Sequence, residues 1–497
     1  MNAPIVCGNW TLDLFDGALR TIRWRGVEVV RAVDCPIRDE NWGTYRQDDV
    51  EESWTEHDGG LWCYVRRFTI AGGALLGTLT AQIDPSGTLT ASLTLLARQA
   101  FRTSRAGFIV LHPIAGVAGT PLTVRHTGGE FEQTEFPALI SPAQPAFDIT
   151  ALRHERAGIA IELEFSGEVF EMEDQRNWSD ASYKTYCRPL SRPKPYEIAA
   201  GQDVVQTITL HVSGEPREIA VAAPPAVSNA RPEVLLAVES GWAGSVAGLE
   251  GLTLLLRLNA GESGAEPWIG RLTQGRAVDL EVVIPRGAAP SAHLAAVASS
   301  LAAQGVAPRH VMALPEAYLK SYQPDGEWPT GTTPSEAALA ARAAFPAARI
   351  GVGMLTNFTE LNRCRPEPGL GDYLTFSTTA IVHAADDRSV WETLEALPQI
   401  LQSAKALAPG LPIRLGLVSI GMRTNPYGDA VAPNPERARK PMAQDDPRQS
   451  TPFAAEFART AYAAAAAAGC EAIALGSPGG PFQAQGNLLQ LIRELSS

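Results

Sequence analysis

Apolar and polar residues alternate with period two up to about residue 215, in short runs broken by turn residues. Ala18–Trp24, Gly26–Ala32, Trp62–Ile70, Leu75–Ile83, Leu89–Leu96, Gly107–Pro113, Leu122–His126, Phe147–His154, Ile159–Phe165 and Val204–Val212 each show it. Successive side chains of an extended chain point to opposite faces, so this alternation predicts strands with one face buried. Asp-Gly, Gly-Gly and Pro-Ser-Gly fall between the runs, which makes the connections hairpins and the pairing antiparallel. So many short strands in one unit predict a large, supersandwich-like β-sandwich.

Beyond a Pro- and Ala-rich stretch at 215–233 the rhythm changes. Val234–Val238, Leu252–Leu258, Asp279–Ile284, His310–Leu314, Ile350–Leu355, Leu374–Val382, Ile413–Ile420 and Ala472–Leu475 are apolar without alternating, as parallel strands covered on both faces are. Between them Ser291–Gln304, Pro334–Ala344, Ser389–Ala406 and Pro452–Ala468 carry helical periodicity and good helix formers, with Ser389 and Thr451 as expected N-caps and Gly469 as a C′ glycine. The alanine run Ala463–Ala468 reads as the buried face of the last helix. The strand count and span match a TIM-type (β/α)8 barrel. The expected layout is an all-β sandwich at 1–217, a linker at 218–232 and an α/β barrel at 233–497.

Composition narrows the function classes. Apolar residues at 45% and charged residues at 19% fit packed globular domains, and a net charge of -13 without a basic stripe argues against a nucleic-acid partner. No run is long enough for a membrane helix, and Met1–Trp10 has neither the basic head nor the apolar core of a signal peptide. Scattered cysteines in such a chain read as reduced thiols, with the cytoplasm as the expected address. Nothing in the pattern specifies an oligomeric state.

Barrel sites lie at the C-terminal ends of the strands. That rule selects Glu239, Arg257, Asn259, Glu316, Asn357, Glu360, Asn362, His383 and Asp386. Two long loops on the same face, Glu316–Thr333 with Tyr318, Tyr322 and Trp328, and Gly421–Ser450, are candidate lids. The motifs of serine hydrolases, zincins, P-loop enzymes and Rossmann dehydrogenases are missing.

The densest chemistry is Phe170-Glu-Met-Glu-Asp-Gln-Arg-Asn-Trp-Ser-Asp-Ala-Ser-Tyr-Lys-Thr-Tyr186. Read as a strand at its start, it puts Glu171 and Glu173 on one face and Met172 and Asp174 on the other. Carboxylates and amides interleaved with Trp178, Tyr183 and Tyr186 suit a sugar, whose hydroxyls need paired partners and whose C–H faces stack on rings. The bland alternative is a hydrated loop. Asn357-Phe-Thr-Glu-Leu-Asn-Arg363 offers Glu360 as an acid or base, against a plain capping role. His383, near Asp386 and Asp387, is a further acid/base candidate, against a structural histidine. Arg38-Asp-Glu-Asn-Trp-Gly-Thr-Tyr45 is either a packed turn or part of a cleft.

The stretch 173–186, with 38–45 upstream and 357–363 in the barrel, resembles the bacterial D-apionate lactonases. The resemblance runs over most of the chain and implies a sandwich followed by a barrel. It also implies hydrolysis of D-apionolactone, a small sugar lactone, to D-apionate. It transfers no catalytic roles; those follow from the reaction. Adding water to an ester carbonyl needs a base, a partner for the oxyanion and an acid for the departing ring oxygen. Without a serine elbow, direct attack by activated water is expected. Glu173 or Glu360 is the candidate base, Lys184 or Arg176 the oxyanion partner, and His383 the acid. Trp178, Tyr183 and Tyr186 would hold the ring, with Glu171, Asp174, Arg176, Asn177, Asp180 and Asn357 around its hydroxyls. No cofactor is required. A divalent metal could replace the cation, with ligand types among Glu171, Glu173, Asp174 and His383, but no spacing marks a metal site. The motif and the barrel rim are expected to share one cleft. Two rivals remain, a glycosidase using Glu316 and Glu360 and a carbohydrate-binding protein without turnover.

Overall fold

Strands Trp62–Ile70, Leu75–Asp84 and Thr88–Ala97 bury every second side chain and lie side by side as an antiparallel meander. The structure, a computed structural model, describes residues 4–40, 42–218, 231–239 and 249–497. Most of the expected linker 218–232, and Asn41 within 38–45, lie outside the described residues. The chain divides into two units, Met1–Gln175 with Ser182–Ala222, and Arg176–Ala181 with Ala223–Ser497.

Among the described residues, sixteen strands of the first unit join in one antiparallel sheet and four more form two two-stranded sheets, the sandwich-like architecture that the alternation predicts. Several members carry no such signal. Asp48–Glu56 is exposed at every residue and, among the described residues, pairs only with Trp62–Ile70, so it is a polar edge strand with no buried face to pattern it. Phe170–Asp174 and Ser182–Tyr186, by contrast, are buried throughout. They pair antiparallel with Glu173 opposite Lys184, which rules out a hydrated loop there.

The sandwich interior also holds two buried imidazoles. His112 Nε2 lies 2.8 Å from Thr185 Oγ1, and the His112 and His154 ring centroids are 6.1 Å apart. Burial, then the neighbouring His154, pushes His112 down from 6.5 to about 3. Burial, then Arg156, pushes His154 down to about 4. A depressed folded-state value means that the unfolded chain binds protons first. Stability from these rings is therefore present above the ordinary histidine range and is lost as pH falls from 6.5 toward 3–4, on the order of 3 kcal/mol for each ring. Both nitrogens of His154 are buried without hydrogen-bond partners among the described residues. His154→Phe should thus raise Tm at pH 7 and flatten its decline between pH 7 and 5, read by thermal melts across that range. An unchanged slope would refute the assignment.

In the second unit, eight parallel strands close a barrel in chain order: Glu233–Val238, Thr253–Leu258, Val278–Ile284, His310–Pro315, Arg349–Asn357, Tyr373–Thr379, Arg414–Ser419 and Ala472–Gly476. Each expected barrel run is a strand. The helices Pro290–Ala303, Pro334–Ala344, Asp387–Leu407 and Pro452–Ala467 stand where periodicity placed them. One cap differs from expectation: the N-cap is Asp386, whose carboxylate accepts from Ser389 N at 3.0 Å, and Ser389 lies inside the helix. Thr451 holds the N-cap position, but its hydroxyl donates back to Arg448 O at 2.8 Å. Gly469, at φ +69°, is the C′ residue. Of the alanine run only Ala465 is fully buried, and the last helix is instead Gly486–Ser496. No helix among the described residues is long and apolar enough to cross a membrane.

The fifth strand is irregular in a way that shapes the barrel mouth. Gly353 sits at φ +122°, and a Cβ there would lie 2.2 Å from Thr375 O, so only glycine fits. The register to the sixth strand shifts between Gly353 and Asn357. The shift delivers Asn357 to the start of a short helix, Phe358–Arg363.

Candidate active site

That helix begins with a capping interaction. Glu360 Oε2 accepts from Asn357 N at 3.0 Å, as an acidic residue three positions past an asparagine N-cap can. The capping and the chemical readings of Glu360 are therefore not exclusive. Its other oxygen, Oε1, is buried with no hydrogen-bond partner among the described residues. Burial pushes the Glu360 carboxyl above the ordinary glutamate range, more strongly than nearby hydroxyls, the Asn357 N–H and Arg363 pull it down. The residue is poised to hold a proton where an exposed glutamate would have lost it.

Residues Arg176–Ala181 of the motif belong to the barrel unit, and their contacts there are specific. Thr359 Oγ1 donates to Asn177 O at 2.6 Å, and Asn362 Nδ2 donates to Asn177 Oδ1 at 2.9 Å. Arg176 is fully buried and donates to Gln399 Oε1. Asn177 and Arg176 are thus engaged with the protein's own groups, and they fix the turn that carries Trp178 and Asp180. Trp178 packs edge-on to His383 at 5.9 Å, lies 6.5 Å from the Tyr427 ring, and has the Arg363 guanidinium 5.3 Å above it.

His383 Nδ1 is 2.6 Å from Asp180 Oδ2. A carboxylate only accepts, so Nδ1 is the donor in this pair. The acidic neighbours expected from sequence have other tasks. Asp386 caps its helix, and Asp387 pairs with Arg439 and Arg448, both at 3.1 Å. His383 and Asp180 are 29% and 18% exposed, so the imidazole is open to a small molecule. Tyr427, from the second long loop, has its hydroxyl 3.4 Å from Thr359 Oγ1. In the first long loop Tyr318, Tyr322 and Trp328 pack on one another. Glu316 accepts from Arg286 N at 3.1 Å.

The other motif residues form a group within the sandwich unit. Lys184 and Glu173 make a buried ion pair. Burial drives Lys184 down against the pull of Glu173, helped by Arg105 and Arg38. Glu171 accepts from the Tyr186 hydroxyl and from Leu190 N at 2.7 Å, and Asp174 accepts from Ser141 N at 3.1 Å. The Arg105 guanidinium stacks 4.0 Å over Tyr186. Tyr183 is fully buried and its hydroxyl donates to Pro137 O at 2.6 Å, so its ring is a core element. Among the described residues no three His, Cys, Asp or Glu converge as a metal site.

A second polar cluster lies inside the barrel, and sequence reading reached only its rim. Arg257 Nε and Arg423 Nη1 both donate to Glu281 Oε2, at 2.8 and 3.0 Å, and Arg423 Nε pairs with Glu239 Oε1 at 2.5 Å. Glu281 and Arg423 were not among the expected residues. The signal was present in the third strand: acidic side chains in an apolar run covered on both faces must be paired or used.

Two family models match, "D-apionate lactonase, N-terminal domain" over residues 2–215 and "D-apionate lactonase, TIM barrel domain" over residues 248–488. The chain belongs to the D-apionate lactonase family. The D-apionate lactonase of Brucella anthropi is 39% identical over 503 residues, covering 96% of this chain and 82% of that protein. Among solved structures, a GH36 α-galactosidase from Geobacillus stearothermophilus aligns over 99% of this chain and 82% of its own, with 10% identity and a TM-score of 0.29. A galactose 1-epimerase from Lactobacillus acidophilus aligns over 42% of this chain and 92% of its own, with 6% identity and a TM-score of 0.27. Likenesses of that strength say nothing about chemistry; the family membership does.

Proposed function

We propose that the chain is a sugar-acid lactonase that opens D-apionolactone to D-apionate by direct attack of water. The observation that carries this reading is the His383–Asp180 pair, 2.6 Å apart on the barrel rim beside the part-exposed ring of Trp178, in a chain of the lactonase family. Asp180 holds the imidazole with Nδ1 protonated, and Nε2 takes the proton of the attacking water. This makes His383 the base, where sequence alone suggested the acid. The new C–O bond sends the carbonyl electrons onto oxygen. Collapse of that oxyanion breaks the bond to the ring oxygen, which takes a proton from Glu360, whose carboxyl is raised by burial. Trp178 stacks on the sugar face.

The test is proton release from D-apionolactone by the full chain, with and without a chelator. Turnover that withstands the chelator supports direct attack with protein groups alone. An untouched lactone together with cleavage of an aryl glycoside would replace this reading with the glycosidase one. Glu173→Gln and Lys184→Met belong in the same assay, because they show whether the sandwich pair takes part: a fall in kcat at unchanged Tm marks participation, and a fall in Tm alone marks a structural pair.

A further inference from the structure

We propose that Arg423 is the oxyanion donor of this reaction, with Arg257 and the carboxylates of Glu281 and Glu239 as its positioning residues. The proposal rests on the lactonase reading above and adds to it the group that receives the negative charge.

Arg423 is only 8% exposed, and two of its three nitrogens are spoken for: Nε by Glu239 and Nη1 by Glu281. The third, Nη2, is buried with no hydrogen-bond partner among the described residues. A buried guanidinium donor with no partner is costly, and such a group in a folded protein asks for an explanation. Arg257 is fixed by Glu281 on one side and by Leu355 O, at 2.8 Å, on the other, so the whole cluster is held before any ligand arrives.

Its place in the barrel puts it on the rim that carries His383. The sixth and seventh strands pair at Thr379 and Ser419. His383 follows Thr379 by four residues, and Arg423 follows Ser419 by four. The two loops stay bonded just past the strands, through Ala380 N to Ser419 O at 3.1 Å and Thr379 Oγ1 to Ile420 O at 3.1 Å.

Charge selects the ligand. Two guanidiniums face two carboxylates, so the cluster is balanced and offers no standing excess for a full anion. A neutral carbonyl that gains charge only on attack is the fitting partner, and a donor fixed in advance acts mainly in the transition state. In the step, the water oxygen bonds to the lactone carbon. The carbonyl pair moves to oxygen and is held by Arg423 Nη2–H, then returns as the ring C–O bond breaks.

Arg423→Lys keeps the charge and loses the fork, so one ammonium cannot hold Glu239, Glu281 and substrate together. Expected is a fall in kcat of about 10²-fold with KM changed little. The distinguishing readout is the rate ratio between D-apionolactone and its thiono analogue, whose C=S is a poor hydrogen-bond acceptor. A large ratio in the wild type should shrink about tenfold or more in Arg423→Lys, a loss of roughly 1.4 kcal/mol of discrimination. Arg423→Gln gives a second reading of the same ratio should the lysine variant fold poorly. A full ratio in either variant, or kcat unchanged, overturns the proposal. A wild type that hydrolyses neither lactone overturns the lactonase reading itself, and is told apart because no variant is needed to see it.

Discussion

His383→Gln should lower kcat for D-apionolactone by about 10³- to 10⁴-fold, the upper part of the range for loss of a positioned base. KM should move little, because the imidazole acts on water and not on the sugar. The reason lies in the pairing with Asp180 at 2.6 Å, which holds the proton of the neutral ring on Nδ1. Asp180→Asn keeps a polar side chain of the same shape, but its amide can donate to Nδ1 and so favour the tautomer with the proton on Nε2. That ring cannot accept from water, and kcat should fall by about 10²-fold or more although every atom is close to its place. Single-turnover proton release and Tm on both variants are the measurements. Retention of a tenth or more of wild-type kcat in His383→Gln, with the fold intact, would remove His383 from the reaction.

Much of this was legible in the chain because burial writes itself into the pattern of residues. A parallel strand such as Val278–Ile284 is covered on both faces and must be apolar nearly throughout, so every barrel strand could be placed. Polar edge strands such as Asp48–Glu56 and the amphipathic helix Gly486–Ser496 were missed, the first for want of a buried face and the second because it follows the last strand signal. At the candidate site, Glu360, His383, Trp178 and Asp180 were all named from local chemistry. What sequence could not supply was pairing at long range. Asp180 and His383 are 203 residues apart, and the nearer acids Asp386 and Asp387 drew attention away from the true partner. The same limit hid Arg423, whose significance comes from sharing Glu281 with Arg257 across 142 and 24 residues.

Glu360→Gln offers the second large effect, with opposite signs for activity and stability. The amide still accepts from Asn357 N through its carbonyl oxygen, so the start of helix Phe358–Arg363 survives. It has no proton to give the ring oxygen, and kcat should fall by about 10³-fold. The pH dependence carries the sign. Burial raises the Glu360 carboxyl, so the acid form that protonates the leaving group persists above the ordinary glutamate range. Wild-type kcat should then decline on the alkaline side as that proton is lost, and the residual activity of the variant should lack this limb. For stability, a group raised in the folded state stabilises fully below its unfolded value, and that contribution is lost as pH rises through the folded one. Glutamine does not titrate, so the Tm of Glu360→Gln should exceed that of wild type by a margin that widens with pH. A residue that trades stability for function in this way is what a buried catalytic carboxyl requires. Melts and initial rates across one pH series decide it. A constant Tm difference would show that Glu360 does not change its charge in that range, and an alkaline limb kept in the variant would assign the proton to another group.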